Sequence, residues 1–147
     1  MTKLVPQFKI LSIVVIVTLM ITQNINAQIL WDKEQLISEY GQNYELKGSE
    51  NNVMVYKRTE IKDDGTELKC ESAYVTVQVT ETRYTCIMWI KSYPIDRSES
   101  LINKYSANYM KKNTNTFFDE QNKISYQLIQ EYPYIIVSAT YSGPSFK

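Results

Sequence analysis

Histidine is missing from all 147 residues. That removes Ser-His and Cys-His catalytic pairs, histidine-containing zinc sites and the commonest general base. Glycine is scarce, with four residues, which leaves little room for phosphate-cradling loops. No P-loop, GxGxxG, CxxC or EF-hand spacing occurs. Net charge is also lacking, since 16 basic residues balance 16 acidic ones. Nucleic acid and anionic membrane surfaces need a basic field, so neither is expected as a partner. No apolar run approaches the ~20 residues of a spanning helix.

The longest such run, residues 10–21, covers only about 12 positions and follows Lys3 and Lys9. A polar stretch then leads to Ala27-Gln28. A basic region, a short apolar core and a small residue at the end form the pattern of a signal peptide. Residues 1–27 are therefore expected to be an export signal cleaved after Ala27, although Ile25 is larger than the usual residue three before the cut. The alternative is an uncleaved segment that tethers the domain to the membrane. Either way residues 28–147 lie outside the cytoplasm, periplasmic or extracellular, with no membrane span in the mature chain. They amount to about 120 residues, enough for one domain with one core. With Lys3 and Lys9 removed, the mature chain carries a charge near −2.

The strongest fold signal is Ala73–Ser92. Val75, Val77 and Val79 alternate with Tyr74, Thr76 and Gln78, and Tyr84, Cys86, Met88 and Ile90 alternate with Thr85, Ile87 and Trp89. Period-two alternation of β-branched and aromatic residues marks strands. A two-residue turn at Glu81-Thr82 would pair Val79 with Tyr84, Val77 with Cys86, Val75 with Met88 and Ala73 with Ile90, all on one apolar face. The other face would hold Tyr74, Thr76, Ile87 and Trp89.

Trp31–Gly41 reads as a short helix, with Asp32 and Gln35 as a capping box, Gly41 as its stop and Leu36, Ile37 and Tyr40 as its buried stripe. Residues 43–52 read as a loop and Val53–Ile61 as a strand. Asp64-Gly65 suits a two-residue hairpin turn into the next strand, which would set Val55 opposite Tyr74 and Met54 opposite Val75. Tyr93-Pro94 ends that meander, because proline donates no ladder hydrogen bond. A second helix is expected from Arg97 to Met110, with Asp96 and Glu99 as its capping box and Leu101, Tyr105 and Tyr109 as its stripe. A second meander follows over Thr114–Asp119, Lys123–Gln130 and Tyr134–Tyr141. Its registers pair Phe117 with Tyr126, Tyr126 with Ala139, Leu128 with Val137 and Ile124 with Tyr141. Tyr132-Pro133 suits a cis turn, and a longer loop with a trans bond serves equally. The expected fold is α+β, two short helices packed on a mainly antiparallel sheet in the order α-βββ-α-βββ. One six-stranded sheet and two packed layers both fit.

Two cysteines in an exported chain invite a disulfide between Cys70 and Cys86. The proposed register sets them roughly 20 Å apart and on opposite faces, which favours free thiols. All 12 tyrosines follow residue 27. Most fall at strand or helix-stripe positions, where they read as structure.

No residue stands out as catalytic, metal-binding or cofactor-binding. Asp63 with Asp64 and Asp119 with Glu120 are the available carboxylate pairs, and both sit in expected hairpin tips as solvated turn residues. Asp63, Asp64 and Glu67 lack the spacing of a calcium loop. The binding candidates are Tyr74 and Trp89, cross-strand neighbours on the second face of the central hairpin. A face covered by the other meander, with Trp89 in the core, is the competing reading. The sequence thus points to an exported, non-catalytic module binding a protein or envelope component. A carboxylate-dependent extracytoplasmic hydrolase is the alternative.

Overall fold

A computed structural model describes residues 28–146. The expected signal peptide, residues 1–27, lies outside the described residues. The chain runs through α1 (Lys33–Tyr40), β1 (Glu45–Lys47), β2 (Val53–Ile61), β3 (Glu67–Gln78) and β4 (Tyr84–Pro94). A 3-10 turn, Ile95–Arg97, leads into α2 (Ser98–Asn108). The chain then continues through β5 (Met110–Asn113), β6 (Thr116–Asp119), β7 (Ile124–Glu131) and β8 (Tyr134–Tyr141). The strands form one antiparallel sheet in the order β1-β2-β3-β4-β8-β7-β6-β5. The expected three-strand meanders each gain a fourth, short edge strand. Residues read as loop supply β1, and residues read as the end of the second helix supply β5.

The second meander forms in the expected register. Phe117 pairs with Tyr126, Tyr126 with Ala139, Leu128 with Val137 and Ile124 with Tyr141. All of these except Tyr141 are buried. The Tyr132-Pro133 bond is cis.

The first meander departs from expectation at each turn. Gly65 takes φ +83°, and its N–H donates to the Lys62 carbonyl. This is the left-handed residue of a three-residue loop, Asp63–Gly65, rather than half of a two-residue turn. The extra residue slips β2 by one, so that Met54, not Val55, opposes Tyr74. The turn from β3 to β4 is longer by one residue as well, and Gln78 pairs with Tyr84. A bulge then restores the expected phase: Thr76 pairs with Cys86, but Val75 pairs with Met88 and Ala73 with Ile90. The bulge leaves Ile87 as the extra residue on β4.

Both helices lie on one face of the sheet, opposite to the apolar face expected for the first meander. Tyr40 of α1 stacks on Tyr74 at 5.2 Å between ring centroids, and Tyr105 of α2 packs on Phe117 and Tyr126. Tyr56, Tyr74 and Trp89 stand beneath them in the core. The reason is size. Aromatic side chains bury roughly 150–250 Å² each, so a face carrying them outweighs one carrying valine and alanine. Ala73, Val75 and Met88 are left half-buried on the bare face, and Ile90 is exposed there.

Both helix starts are informative. The capping box on α1 forms as expected: the Gln35 N–H donates to Asp32 Oδ1, and the Asp32 N–H donates to Gln35 Oε1, each at 2.9 Å. Asp96 does not cap α2. The helix begins one residue later, at Ser98 after Arg97, without a side-chain cap, and Asp96 Oδ2 instead accepts from the Asp63 N–H.

Cys70 and Cys86 are both free and buried. The longer β3–β4 turn, which pairs Cys86 with Thr76 rather than Val77, puts them on the same face, contrary to the parity expected from the sequence. They remain apart because Cys86 pairs with Thr76, six residues along β3 from Cys70, or roughly 20 Å at strand rise.

Candidate functional site

Beside the C-terminal end of α1 the covered face opens into a cleft of about 340 Å³. Its floor is the odd-numbered face of β4 and the even-numbered face of β2 and β3. Trp89, Lys91 and Tyr93 alternate along β4, opposite Tyr74 and Ser72 of β3. Tyr56 and Arg58 follow on β2, opposite Ser72 and Cys70. Tyr40 forms the wall contributed by the helix, and Asn43 and Lys57 stand at the mouth. Tyr56 fixes the helix end in place, since its hydroxyl donates to the Gly41 carbonyl at 2.9 Å.

The cleft is lined by three cations and no carboxylate, and Lys57 at its mouth is paired outside it with Glu45, which leaves Arg58 and Lys91 within. Their situations differ. Each nitrogen of the Arg58 guanidinium is engaged: Nε donates to Glu60 Oε1 at 2.8 Å, Nη1 to Ser72 Oγ at 2.6 Å and Nη2 to the Ser92 carbonyl. Its plane also lies over the Tyr93 ring, 4.9 Å from the centroid. Arg58 is thus a neutralised structural brace. Lys91 has no ion pair among the described residues. Its Nζ donates to Gln28 Oε1 at 2.7 Å and sits over three rings, 4.7 Å from Trp89, 5.5 Å from Tyr74 and 5.8 Å from Tyr40. Burial pushes its ammonium down to about 8, and the nearby Arg58 charge acts in the same direction. An uncompensated, desolvated cation in a concave aromatic site is a recognised mark of function.

The tyrosines complete the setting. Burial raises the hydroxyls of Tyr40, Tyr74 and Tyr93 above the ordinary tyrosine range, so all three are neutral donors at physiological pH. The Tyr74 hydroxyl is buried and makes no hydrogen bond of good geometry. Its one near partner is the Tyr40 hydroxyl, and the two hydroxyls perturb each other.

The two residues singled out in the sequence, Tyr74 and Trp89, are register partners. They are not an exposed aromatic patch: Tyr74 is 0% exposed and Trp89 4%. The cover comes from α1 rather than from the second meander, because Tyr40 lies directly on Tyr74. Both nevertheless border the site, Tyr74 as its wall and Trp89 as the ring beneath Lys91. Sequence reading missed Lys91 and Arg58. The signal was parity: a lysine midway between Trp89 and Tyr93 on a strand must share the face of those two rings.

The carboxylate pairs do not build a second site. Asp64 accepts from the Thr66 hydroxyl and amide and from Lys62, which together hold its carboxyl well below the usual range. Asp119 accepts from the amide and side chain of Asn122 and closes the β6–β7 turn. Among the described residues no three acidic or cysteine side chains gather as metal ligands. A hollow of about 460 Å³ on the bare face is lined by Lys57, Lys69 and Glu71. Its lysines are exposed and engaged, Lys57 with Glu45 and Lys69 with Thr59. The site in the cleft stands on its own geometry, for the chain matches no known family and has no significant likeness among curated proteins or solved structures.

Proposed function

We propose that the chain is an exported, non-catalytic module that binds a protein or envelope component, and that the Lys91 cleft is where it does so. One observation carries the assignment: a half-buried ammonium without a carboxylate partner stands at the base of an open, tyrosine-walled cleft. Such a charge costs stability where it is, so its value lies in what it holds. Export rests on the residue pattern of positions 1–27. Tyrosine walls suit recognition, because they offer large rigid contact area at low entropy cost.

The test is affinity capture from envelope extract with the wild type, Tyr40→Ala and Lys91→Met. Both variants are first checked for a native near-UV spectrum and a cooperative unfolding transition. The expected result is a partner retained by the wild type and lost by both variants. Folded variants that keep every partner would remove the cleft from the assignment.

A further inference from the structure

We propose that the cleft recognises a carboxylate carried on a flat apolar body, with Lys91 Nζ taking the carboxylate and the tyrosine rings taking the body. The inference rests on the cleft being the binding site and names the chemistry of its ligand.

The sign of the ligand's charge follows from the cleft's lining. Lys91 brings one uncompensated positive charge, and its single strong hydrogen bond, to Gln28, leaves two N–H donors free. No carboxylate lines the cleft. An anion entering it would offset, by Coulomb attraction, the hydration that Lys91 loses on burial.

The size of that charge follows from Arg58. A phosphate monoester carries close to two charges and is held best by a bidentate guanidinium fork. Here the fork is already closed on Glu60, Ser72 and the Ser92 carbonyl. One free ammonium matches one charge, and the carboxylate is the common organic monoanion with two acceptor oxygens. The second oxygen has a candidate donor in the buried Tyr74 hydroxyl, whose ring lies under Lys91 and whose one near partner, the Tyr40 hydroxyl, makes no bond of good geometry with it.

The body of the ligand follows from the walls. Tyr40 and Tyr74 are stacked at an interplanar angle of 24°, and Tyr56 meets both rings, leaving flat faces and edges around the ammonium. The cavity, about 340 Å³, lies at the small end of ligand sites, which run from roughly 300 to 1,000 Å³. It therefore fits a single ring with a short acidic arm. That chemistry occurs in a free aromatic acid and in the C-terminal residue of a peptide ending in an aromatic side chain.

Protonation gives an independent handle. The groups facing Lys91 are Arg58 from β2, Tyr74 from β3, Tyr40 from α1, Cys86 and Trp89 from its own strand and, at longer range, Lys104 of α2. Each of the tyrosines and Cys86 is held neutral by burial well above pH 8. Lys91 is thus the first of them to change charge as pH rises from 7 to 9.

The experiment is calorimetric titration of the purified domain with phenylacetate, N-acetyl-tyrosine, N-acetyl-tyrosine amide and a hexapeptide ending in a free tyrosine carboxylate. The acids are expected to bind and the amide to bind at least tenfold more weakly. Affinity for the acids should fall several-fold between pH 7 and pH 9, with proton uptake on binding at the upper end. Lys91→Met should lose the preference for acid over amide while remaining folded, and Lys47→Ala, on the exposed edge strand, should keep it. Phenylacetate and the hexapeptide separate the two sources: tighter binding of the peptide identifies a chain terminus, and equal binding identifies a free acid. Equal affinity for acid and amide, an unchanged preference in Lys91→Met, or no binding of any acid at 10 mM would overturn the carboxylate assignment. Loss of envelope partners in the same Lys91→Met protein would still leave the cleft as the binding site, so the two assignments fail separately.

Discussion

Replacing Lys91 by methionine is expected to make the protein more stable at pH 7. Methionine matches the length of the lysine stem and removes the charge. Lysine in an unfolded chain titrates near 10.4, whereas burial brings Lys91 to about 8. At about 1.4 kcal/mol per tenfold, that gap corresponds to roughly 3 kcal/mol of unfavourable charge burial. The rings of Trp89, Tyr74 and Tyr40 offset part of it, since cation–π contacts contribute about 0.5–2 kcal/mol. Losing the bond to Gln28 costs about 1 kcal/mol, and burying a methionine tip in place of the ammonium returns a similar amount. Desolvation is the largest of these and wins, with a net gain of about 2 kcal/mol for Lys91→Met at pH 7. For a domain of this size that is roughly 8 °C in Tm.

The pH dependence fixes the cause. Between about 8 and 10.4 the unfolded lysine still holds its proton while the folded one has released it, so the unfolded state binds more protons and wild-type stability rises with pH across that window. The cost of Lys91 is fully present below pH 8 and fades above it. The advantage of Lys91→Met should therefore shrink to less than about 1 kcal/mol by pH 10. Urea unfolding of both proteins at pH 7, 8, 9 and 10 measures it, and comparing the pair cancels the tyrosine titrations they share. A variant that is less stable than wild type at pH 7, or an advantage that stays flat up to pH 10, would refute the account of Lys91 as an unpaired buried charge.

Three further outcomes follow from the packing. Phe117→Ala should lose about 3–5 kcal/mol because Phe117 is fully buried under α2, whereas Ile90→Thr on the bare face should stay within about 1 kcal/mol, both read from urea midpoints; the reverse ranking would put the core on the wrong side of the sheet. Tyr74→Phe should be neutral or stabilising, because it removes a buried hydroxyl that has no well-formed bond to lose, and a loss above about 1 kcal/mol by thermal denaturation would show that the hydroxyl is paired. Native protein should react slowly with a thiol reagent at pH 8, since both thiols are buried and Cys86 is pushed up to about 12, while urea without reductant should release two reactive thiols; a result of none would mean a disulfide.

The second meander was legible because every local signal agreed. Its apolar alternation and its aromatic residues lie on the same face, and its turns are short, so Phe117, Tyr126, Leu128 and Val137 were placed correctly. In the first meander those signals conflict. Valines occupy one parity and the large rings the other, and counting apolar positions chose the valines. Three single-residue departures, the longer loops at Asp63–Gly65 and Thr80–Thr82 and the bulge at Ile87, leave no mark in composition. Asp64-Gly65 fits two hairpin loops that differ by one residue, and only the left-handed φ of Gly65 tells them apart. Lys111 and Lys112, just past the expected helix end at Met110, occupy the exposed edge strand β5, where lysines suit an open edge. The site was half legible: Tyr74 and Trp89 were paired correctly, but Lys91 gains meaning only once the covered face is known.

The order of strands also sets how the chain assembles. β1–β4 and β5–β8 each form from neighbours in sequence and need only short loops to close. The seam between them joins β4 to the last strand, β8, with α2 and three strands intervening. Closing that seam carries the main loop-closure entropy of the fold. Each half is an open sheet with a bare edge until its partner arrives. The central pairing of Trp89 with Ala139 thus waits for the C-terminal strand. Synthesis from the N-terminus must therefore pass β8 before the sheet can close, and until then the outer edge of β4 is open to any other extended chain.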